Sequence, residues 1–153
     1  MLRLAIRAAL VLSLAAPALS FAGEFGTRAE AMAMVKRVQD KFKKDGPEAT
    51  FAAVNKQDAA FHDRDLYPFI YNLDGVNVAH GARLALVGKN LENLKDPDGV
   101  PLIRLMIENA KGKGSGWINY KWPNPITHKI EDKTSYCEKL GENYFVGVGI
   151  YRP

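Results

Sequence analysis

The chain after residue 26 opens with apolar side chains at helical spacing. They fall on one face while lysines, arginines and aspartates occupy the rest; the apolar positions are Ala31, Met34, Val35, Val38 and Phe42. Thr27 and Glu30 have the spacing of a capping box, in which each side chain satisfies a free backbone N–H at the helix start. Gly46 and Pro47 interrupt the pattern. The sequence predicts an amphipathic helix of about 18 residues, followed by a shorter helix from Pro47 that carries Phe51 and Val54.

From Leu66 the pattern changes to that of extended strands. Residues 66–72 are rich in aromatic and β-branched side chains, Asp74-Gly75 is typical of a tight turn, and residues 76–80 alternate apolar and polar positions. This predicts a β-hairpin with Pro68 at a strand start or near a sheet edge. Alternation also predicts that His80 shares a face with Val76 and Val78.

The second half predicts a helix and three more strands. Residues 83–98 have no clean period and are interpreted as a loop with a helical turn, closed by a turn at Asp96, Asp98 and Gly99. A helix follows Pro101 and ends at Gly112. The predicted strands cover 116–122, 129–140 and 144–151. This order of elements predicts an α+β domain built on an antiparallel sheet.

The first 22 residues have a different character. Arg3 and Arg7 precede an apolar run, and Ser20 and Ala22 are the small residues that signal peptidase recognises. A membrane anchor is the alternative, but an apolar run of about a dozen residues is short against the ~20 that span a bilayer. We therefore predict a cleaved secretory signal at 1–22 and one domain at 23–153, located in the periplasm or secreted.

Composition excludes several functional classes. The chain is 47% hydrophobic and 25% charged, as in ordinary soluble domains. Loss of Arg3 and Arg7 lowers the formal net charge from +4 to +2, and the remaining basic residues form no stripe, so no nucleic-acid partner is expected. Cys137 is the single cysteine, which excludes an internal disulfide, and its place within a strand predicts a buried, unreactive thiol.

No sequence motif points to catalysis or to a cofactor. Nucleophile elbows, zinc motifs, phosphate loops and dinucleotide fingerprints are all missing from the sequence. Residues 62–65, His-Asp-Arg-Asp, are the densest titratable cluster, but four consecutive side chains cannot all face one ion. We interpret them as a solvated loop and expect neither a metal site nor an enzyme.

The stretch 117–122 concentrates aromatic side chains on one predicted strand. Alternation places Ile118, Tyr120 and Trp122 on one face and Trp117 on the other. Tyrosine and tryptophan combine apolar surface with a hydrogen-bonding tip, which suits the wall of a ligand pocket as well as a packed core. The pattern alone leaves both interpretations open.

Several separated segments resemble one known family. GSGWINYKWPNP (114–125), KTSYCEKL (133–140) and FVGVGIY (145–151) are similar to the signature of single Cache domains, which are extracytoplasmic sensor modules with a PAS-like fold. FIYNLDGVNVAHG (69–81), DPDG (96–99) and a helix that ends in GKG resemble the same family in the same order. The resemblance implies a long N-terminal helix beside an antiparallel sheet of about five strands, with a small-ligand cavity under the covering loops and helices.

The resemblance and the residues together give a candidate ligand site. Tyr120 and Trp122 would form its wall, and Lys133 on the next strand would attract an anionic ligand, most simply a short carboxylate. Tyr71 and His80 from the hairpin and Arg83 from the following loop would add hydrogen bonds. In the alternative interpretation Lys133 reaches solvent and pairs with a nearby glutamate, Glu131 or Glu138.

Two functions follow from these expectations. The first is a small-molecule sensing module that acts through a membrane receptor, a kinase or a transporter, since the sequence shows no signalling module of its own. The second is an interaction domain with a vestigial pocket that works through its long N-terminal helix. That helix also offers a surface for a homodimer.

Overall fold

The computed structural model describes residues 24–151, so the predicted signal at 1–22 lies outside the described part of the chain. Helix α1 spans Arg28–Asn55 and starts at the capping box of Thr27 and Glu30. Gly46 interrupts it with a left-handed φ of 82°, a conformation that glycine adopts without steric cost. The predicted break at Gly46-Pro47 is confirmed, and the two helical stretches lie end to end.

Five antiparallel strands form one sheet. They are β1 (Pro68–Asn72), β2 (Asn77–His80), β3 (Ser115–Pro123), β4 (Ile130–Leu140) and β5 (Tyr144–Ile150). Their order across the sheet is β2-β1-β5-β4-β3, which inserts the last strand between the hairpin and the β3–β4 pair. Pro68 is the first residue of β1, where its missing N–H interrupts no ladder.

The sheet is covered on both faces. Helix α1 packs on one face over a cluster that includes Ile70, Val146 and Val148. Helix α2, which spans Leu102–Lys111 and ends at Gly112 as predicted, packs on the other face. The segment between β2 and α2 contains a short 3₁₀ turn at Leu84–Leu86 and lies on the same side as α2. The α+β prediction and the long N-terminal helix are confirmed.

The predicted face of His80 is wrong. The β1–β2 pairing shifts register between Ile70 and Tyr71, which inserts an extra residue into β2. Val78 consequently packs toward α1, whereas His80 lies against the aromatic rings of Tyr67 and Phe69 on the α2 side. A bulge of this kind breaks the strict alternation of side chains. The alternation pattern therefore no longer predicts which face of the sheet a residue beyond the bulge occupies.

The interpretation of residues 62–65 as a solvated loop is also wrong in part. Asp65 is fully buried and accepts a 2.7 Å hydrogen bond from the backbone N–H of Gly26. The Arg64 guanidinium donates to the carboxylate of Glu30 at 2.6 Å. These contacts hold the start of α1 against the segment that leads into β1, so the cluster has a structural role.

Candidate functional site

The α2 side of the sheet carries the predicted site residues. Cross-strand pairing places His80, Phe69, Gly147 and Cys137 in one row across four strands. The next row toward the end of β3 contains Gly149 and Ser135. Tyr120 pairs with Lys133, and its hydroxyl lies 2.7 Å from the Ser135 hydroxyl. The structure thus gathers residues from β1, β2, β3 and β4 on one face.

Lys133 is buried, with 2% of its surface exposed. Its Nζ atom donates hydrogen bonds to the hydroxyl oxygens of Tyr67 at 2.8 Å and Tyr151 at 3.2 Å. The Tyr67 and Tyr151 rings also face the ammonium, with centroids 4.1 and 4.6 Å from Nζ. The interpretation that Lys133 reaches solvent and pairs with Glu131 or Glu138 is therefore wrong.

Two glycines of β5 leave space for side chains of the neighbouring strands. A Cβ atom at Gly149 would overlap with Cε of Lys133 and with the Ser135 hydroxyl, and one at Gly147 would overlap with the Phe69 ring. Glycine within a strand often marks such a close approach. Lys133 can lie flat across β5 because Gly149 presents no side chain there, and Gly147 makes the same room for the Phe69 ring.

The hydrogen bonds of the buried ammonium have a fixed direction. The Tyr151 hydroxyl donates to the Pro123 carbonyl at 2.8 Å, so Tyr67, 2.9 Å from it, must donate to Tyr151. Both hydroxyl oxygens then accept from Lys133. An ammonium has three N–H donors, and within residues 24–151 two of them have acceptors.

The ammonium has no carboxylate partner in the described part of the chain. None of the ion pairs among residues 24–151 includes Lys133. Burial lowers its pKa to about 7, and the more distant carboxylate of Asp65 opposes this shift only in part. A buried cation without a counter-ion is costly, and a bound anion would offset that cost.

His80 adds a second donor with a fixed orientation. Its Nδ1 atom accepts hydrogen bonds from the backbone N–H groups of Ala82 at 3.2 Å and Arg83 at 3.0 Å, so the neutral ring carries its proton on Nε2. Burial, together with the charges of Lys133 and Arg83, lowers the pKa of His80 to about 3. The Nε2–H group has no acceptor among the described residues.

A narrow cavity lies between these residues and α2. Its volume is about 10 Å³, which is about the space that a single water molecule needs. Aromatic and apolar side chains form most of its wall: Phe69, Tyr71, His80, Leu102, Ile103, Met106, Tyr120 and Trp122. Lys133 is not among them, but its Nζ atom lies 5.8 Å from the centre of the Phe69 ring.

The structure brings together five of the six predicted site residues. Tyr71, His80, Tyr120 and Trp122 line the cavity, and Lys133 lies beside it. Arg83 is exposed, and its guanidinium carbon lies 6.0 Å from the centre of the Trp122 ring, on the outer side of the wall. Trp117 is on the opposite face, as predicted, where it packs with Tyr136.

Sequence reasoning missed the two tyrosines that hold the ammonium. Tyr67 precedes the first strand and Tyr151 follows the last, and neither position predicts a partner for Lys133. One signal was present: Gly147 and Gly149 alternate within β5, and glycines two residues apart on a strand leave open space on one face.

Comparisons with known proteins agree with this architecture. A family model described as "Cache domain" matches residues 28–152, and the chain therefore belongs to the Cache domain family. The sensor histidine kinase MctS of Rhizobium johnstonii is 33% identical over 122 residues, which cover 79% of this chain and 26% of the kinase. The chain thus spans about a quarter of that relative's length.

Solved structures show the same fold. A methyl-accepting chemotaxis protein from Vibrio parahaemolyticus superposes with a TM-score of 0.69 at 28% identity, covering 80% of this chain and 86% of that one. A Cache chemosensory domain, described for its recognition of carboxylic acids, gives a TM-score of 0.63 at 27% identity, with coverage of 82% and 88%. The family is one of small-molecule sensing modules.

Proposed function

We propose that this domain binds a short-chain carboxylate outside the cytoplasm and reports its presence to a partner protein. The observation that carries the proposal is the Lys133 ammonium, which is buried, has no carboxylate partner among residues 24–151 and keeps one N–H without an acceptor. A carboxylate is the simplest small molecule that supplies both the missing charge and the missing acceptor. A similar structure, described for its carboxylic acid recognition, supports this ligand class.

The geometry supports one orientation for the ligand. Its carboxylate would accept from the remaining N–H of Lys133 and from Nε2–H of His80, both of which lack an acceptor among residues 24–151. Its alkyl part would contact Ile103 and Met106 of α2 and the Trp122 ring, which close the apolar end of the cavity. Because the cavity measures about 10 Å³, α2 or the Trp122 side chain must move outward when the ligand enters.

The small cavity also favours the second candidate function, an interaction domain whose pocket is vestigial. Calorimetric titration and thermal shift with acetate, propionate and a panel of amino acids and amines distinguish the two. Sensing predicts saturable carboxylate binding and a higher melting temperature, because a ligand that binds only the folded state stabilises it. An interaction domain predicts no shift with any of them.

The Lys133→Met variant tests the named residue. We expect affinity for the carboxylate to fall by about ten- to a hundredfold, since a charge-assisted hydrogen bond of about 1.5–3 kcal/mol is lost. The matched control is Lys129→Met, which removes an exposed lysine just before β4. Equal affinity in both variants would exclude Lys133 from the site.

We propose that residues 1–22 are removed on export to the periplasm and that a membrane receptor, a kinase or a transporter receives the signal. Family membership and the chemotaxis and kinase relatives support an extracytoplasmic place. Within residues 24–151 no helix is both long and apolar enough to cross a membrane. The intact mass of protein recovered from a bacterial periplasm tests the cleavage, and a mass that includes Met1 would contradict it.

A further inference from the structure

A second, exposed groove lies on the outer side of Trp122. It has a volume of about 270 Å³ and is formed by the loop between β2 and α2 together with the ends of β3 and β4. Seven apolar side chains line it: Leu86, Leu91, Leu94, Pro97, Trp122, Pro123 and Ile130. We call this surface the outer groove. Ile130 is 58% exposed, and exposed apolar patches of this kind often mark binding sites.

The charged residues at the outer groove are predominantly cationic. Asp96 is the one carboxylate among its described lining residues, and it accepts hydrogen bonds from the backbone N–H groups of Asp98, Val100 and Lys121 at 2.7–2.9 Å. Lys121 pairs with Asp98 at 3.2 Å and Asp132 at 2.7 Å. Its charge is therefore already neutralised.

Arg83 and Lys95 remain at the rim with no ion-pair partner among residues 24–151. Both side chains are exposed. An apolar floor beside two free cations is complementary to a molecule with an apolar chain and one anionic head. A partner protein would also have to present an apolar surface and an anionic group, and it would have to do so over a larger area.

We propose that the outer groove binds a free medium-chain fatty acid, with the alkyl chain along the leucines and Ile130 and the carboxylate at Arg83 and Lys95. This site is separate from the cavity beside Lys133 and does not depend on that cavity's function. Trp122 is the wall between them, because it lines both. Its fluorescence therefore responds to a ligand in either site, and variants at Lys133 and at Ile130 distinguish the two.

The test uses a series of straight-chain carboxylates below their micelle concentrations. In a Trp117→Phe background Trp122 is the single tryptophan of the chain, and its fluorescence is followed with hexanoate, octanoate and decanoate. Affinity should rise with each added methylene by about two- to fourfold, the upper value corresponding to about 0.8 kcal/mol for a fully buried CH₂. Octanoate should bind more tightly than octanol, and octanol more tightly than octylammonium.

Paired variants locate the binding site. Ile130→Asp should weaken octanoate by at least tenfold, whereas the matched control Ile126→Asp, at a residue that is 48% exposed and outside the groove, should leave it unchanged. Lys95→Glu should weaken octanoate several-fold, and Lys89→Glu should not. Lys133→Met should have no effect on octanoate, although it weakens acetate if the proposed carboxylate site is correct.

Four outcomes would overturn the inference. Octanoate binding that Lys133→Met abolishes and Ile130→Asp spares would place the fatty acid in the inner cavity. Octanoate that binds no more tightly than hexanoate would remove the role of the apolar floor. Sedimentation with anionic phosphatidylglycerol vesicles without binding of free octanoate would assign the surface to a membrane. A dimer that Ile130→Asp dissociates, without octanoate binding, would assign it to a second copy of the chain.

Discussion

Gly149 lies directly beneath the side chain of Lys133, and a Cβ atom at residue 149 would overlap with the lysine Cε atom. The pair joins two strands, since β5 supplies the empty position and β4 supplies the cation that fills it. A buried ammonium thus depends on a glycine 16 residues away in the sequence. The relationship has consequences for both stability and binding.

We predict that Gly149→Ala displaces Lys133 from its tyrosine partners. Overpacking a core position in this way costs about 1–3 kcal/mol of unfolding free energy, and carboxylate affinity should fall by at least tenfold. Urea denaturation and calorimetric titration measure the two effects. In a Lys133→Ala background the same glycine substitution should cost less, because one of its two overlapping neighbours is gone. Equal costs in both backgrounds would show that the two residues are not coupled.

Carboxylate affinity should depend on pH through Lys133. Burial holds the pKa of the free ammonium at about 7, and a bound carboxylate would raise it. Below pH 7 the lysine is already charged and affinity should be constant; above pH 7 the free protein must take up a proton to bind, so affinity should fall by up to about tenfold per pH unit. Titrations in buffers of different ionisation enthalpy measure this proton uptake.

Neighbouring groups should not produce the same profile. The pKa of His80 is lowered by burial to about 3, and burial raises the pKa of Tyr67 to about 12. Burial also raises the pKa of Tyr120 and Tyr151. None of these four groups titrates between pH 5 and 9, so residual binding by Lys133→Met should be independent of pH in that range. A profile that persists in this variant would assign the pH dependence to another residue.

The stability of the ligand-free domain should also rise with pH. The folded-state pKa of Lys133, about 7, lies below the ordinary lysine value of 10.5 that the unfolded chain has, so between these values the unfolded chain binds more protons. Unfolding free energy therefore increases as pH rises from 7 toward 10, by up to about 1.4 kcal/mol per unit. Below pH 7 the destabilisation by the buried charge is fully present.

The Lys133→Met variant isolates that contribution. It should be more stable than the natural chain at pH 6, because replacing a buried unpaired charge with an apolar side chain removes its desolvation cost. Its stability should also lose the rise above pH 7 that the lysine causes. Chemical denaturation at several pH values measures this, and a variant less stable at pH 6 would mean that the two tyrosines fully compensate the ammonium.

His80 should hold the chain that leaves β2. In His80→Leu the backbone N–H groups of Ala82 and Arg83 lose their acceptor, and each lost hydrogen bond costs about 0.5–1.5 kcal/mol. We expect faster amide hydrogen exchange at residues 82 and 83 together with lower stability. His80→Asn offers an oxygen acceptor on a shorter side chain and should restore part of the protection. Unchanged exchange in the leucine variant would limit His80 to a packing role.

Local sequence patterns determined the elements of this fold. The capping box at Thr27, the break at Gly46-Pro47, the start of β1 at Pro68 and the end of α2 at Gly112 all follow from interactions within a few residues. The strand alternation that places Tyr120 and Trp122 together also holds, because β3 is paired with β4 along its length without a bulge. Such features need no knowledge of distant contacts.

Tertiary structure alone decided which side chains meet. The bulge in β2 turned His80 to the α2 side, and burial of Asp65 against Gly26 depends on residues 39 positions apart. The partners of Lys133 come from the two ends of the sheet-forming region, Tyr67 and Tyr151. Whether a lysine is solvated or buried is set by the sum of its neighbours' volumes and dipoles, and these are assembled only when β5 inserts between β1 and β4.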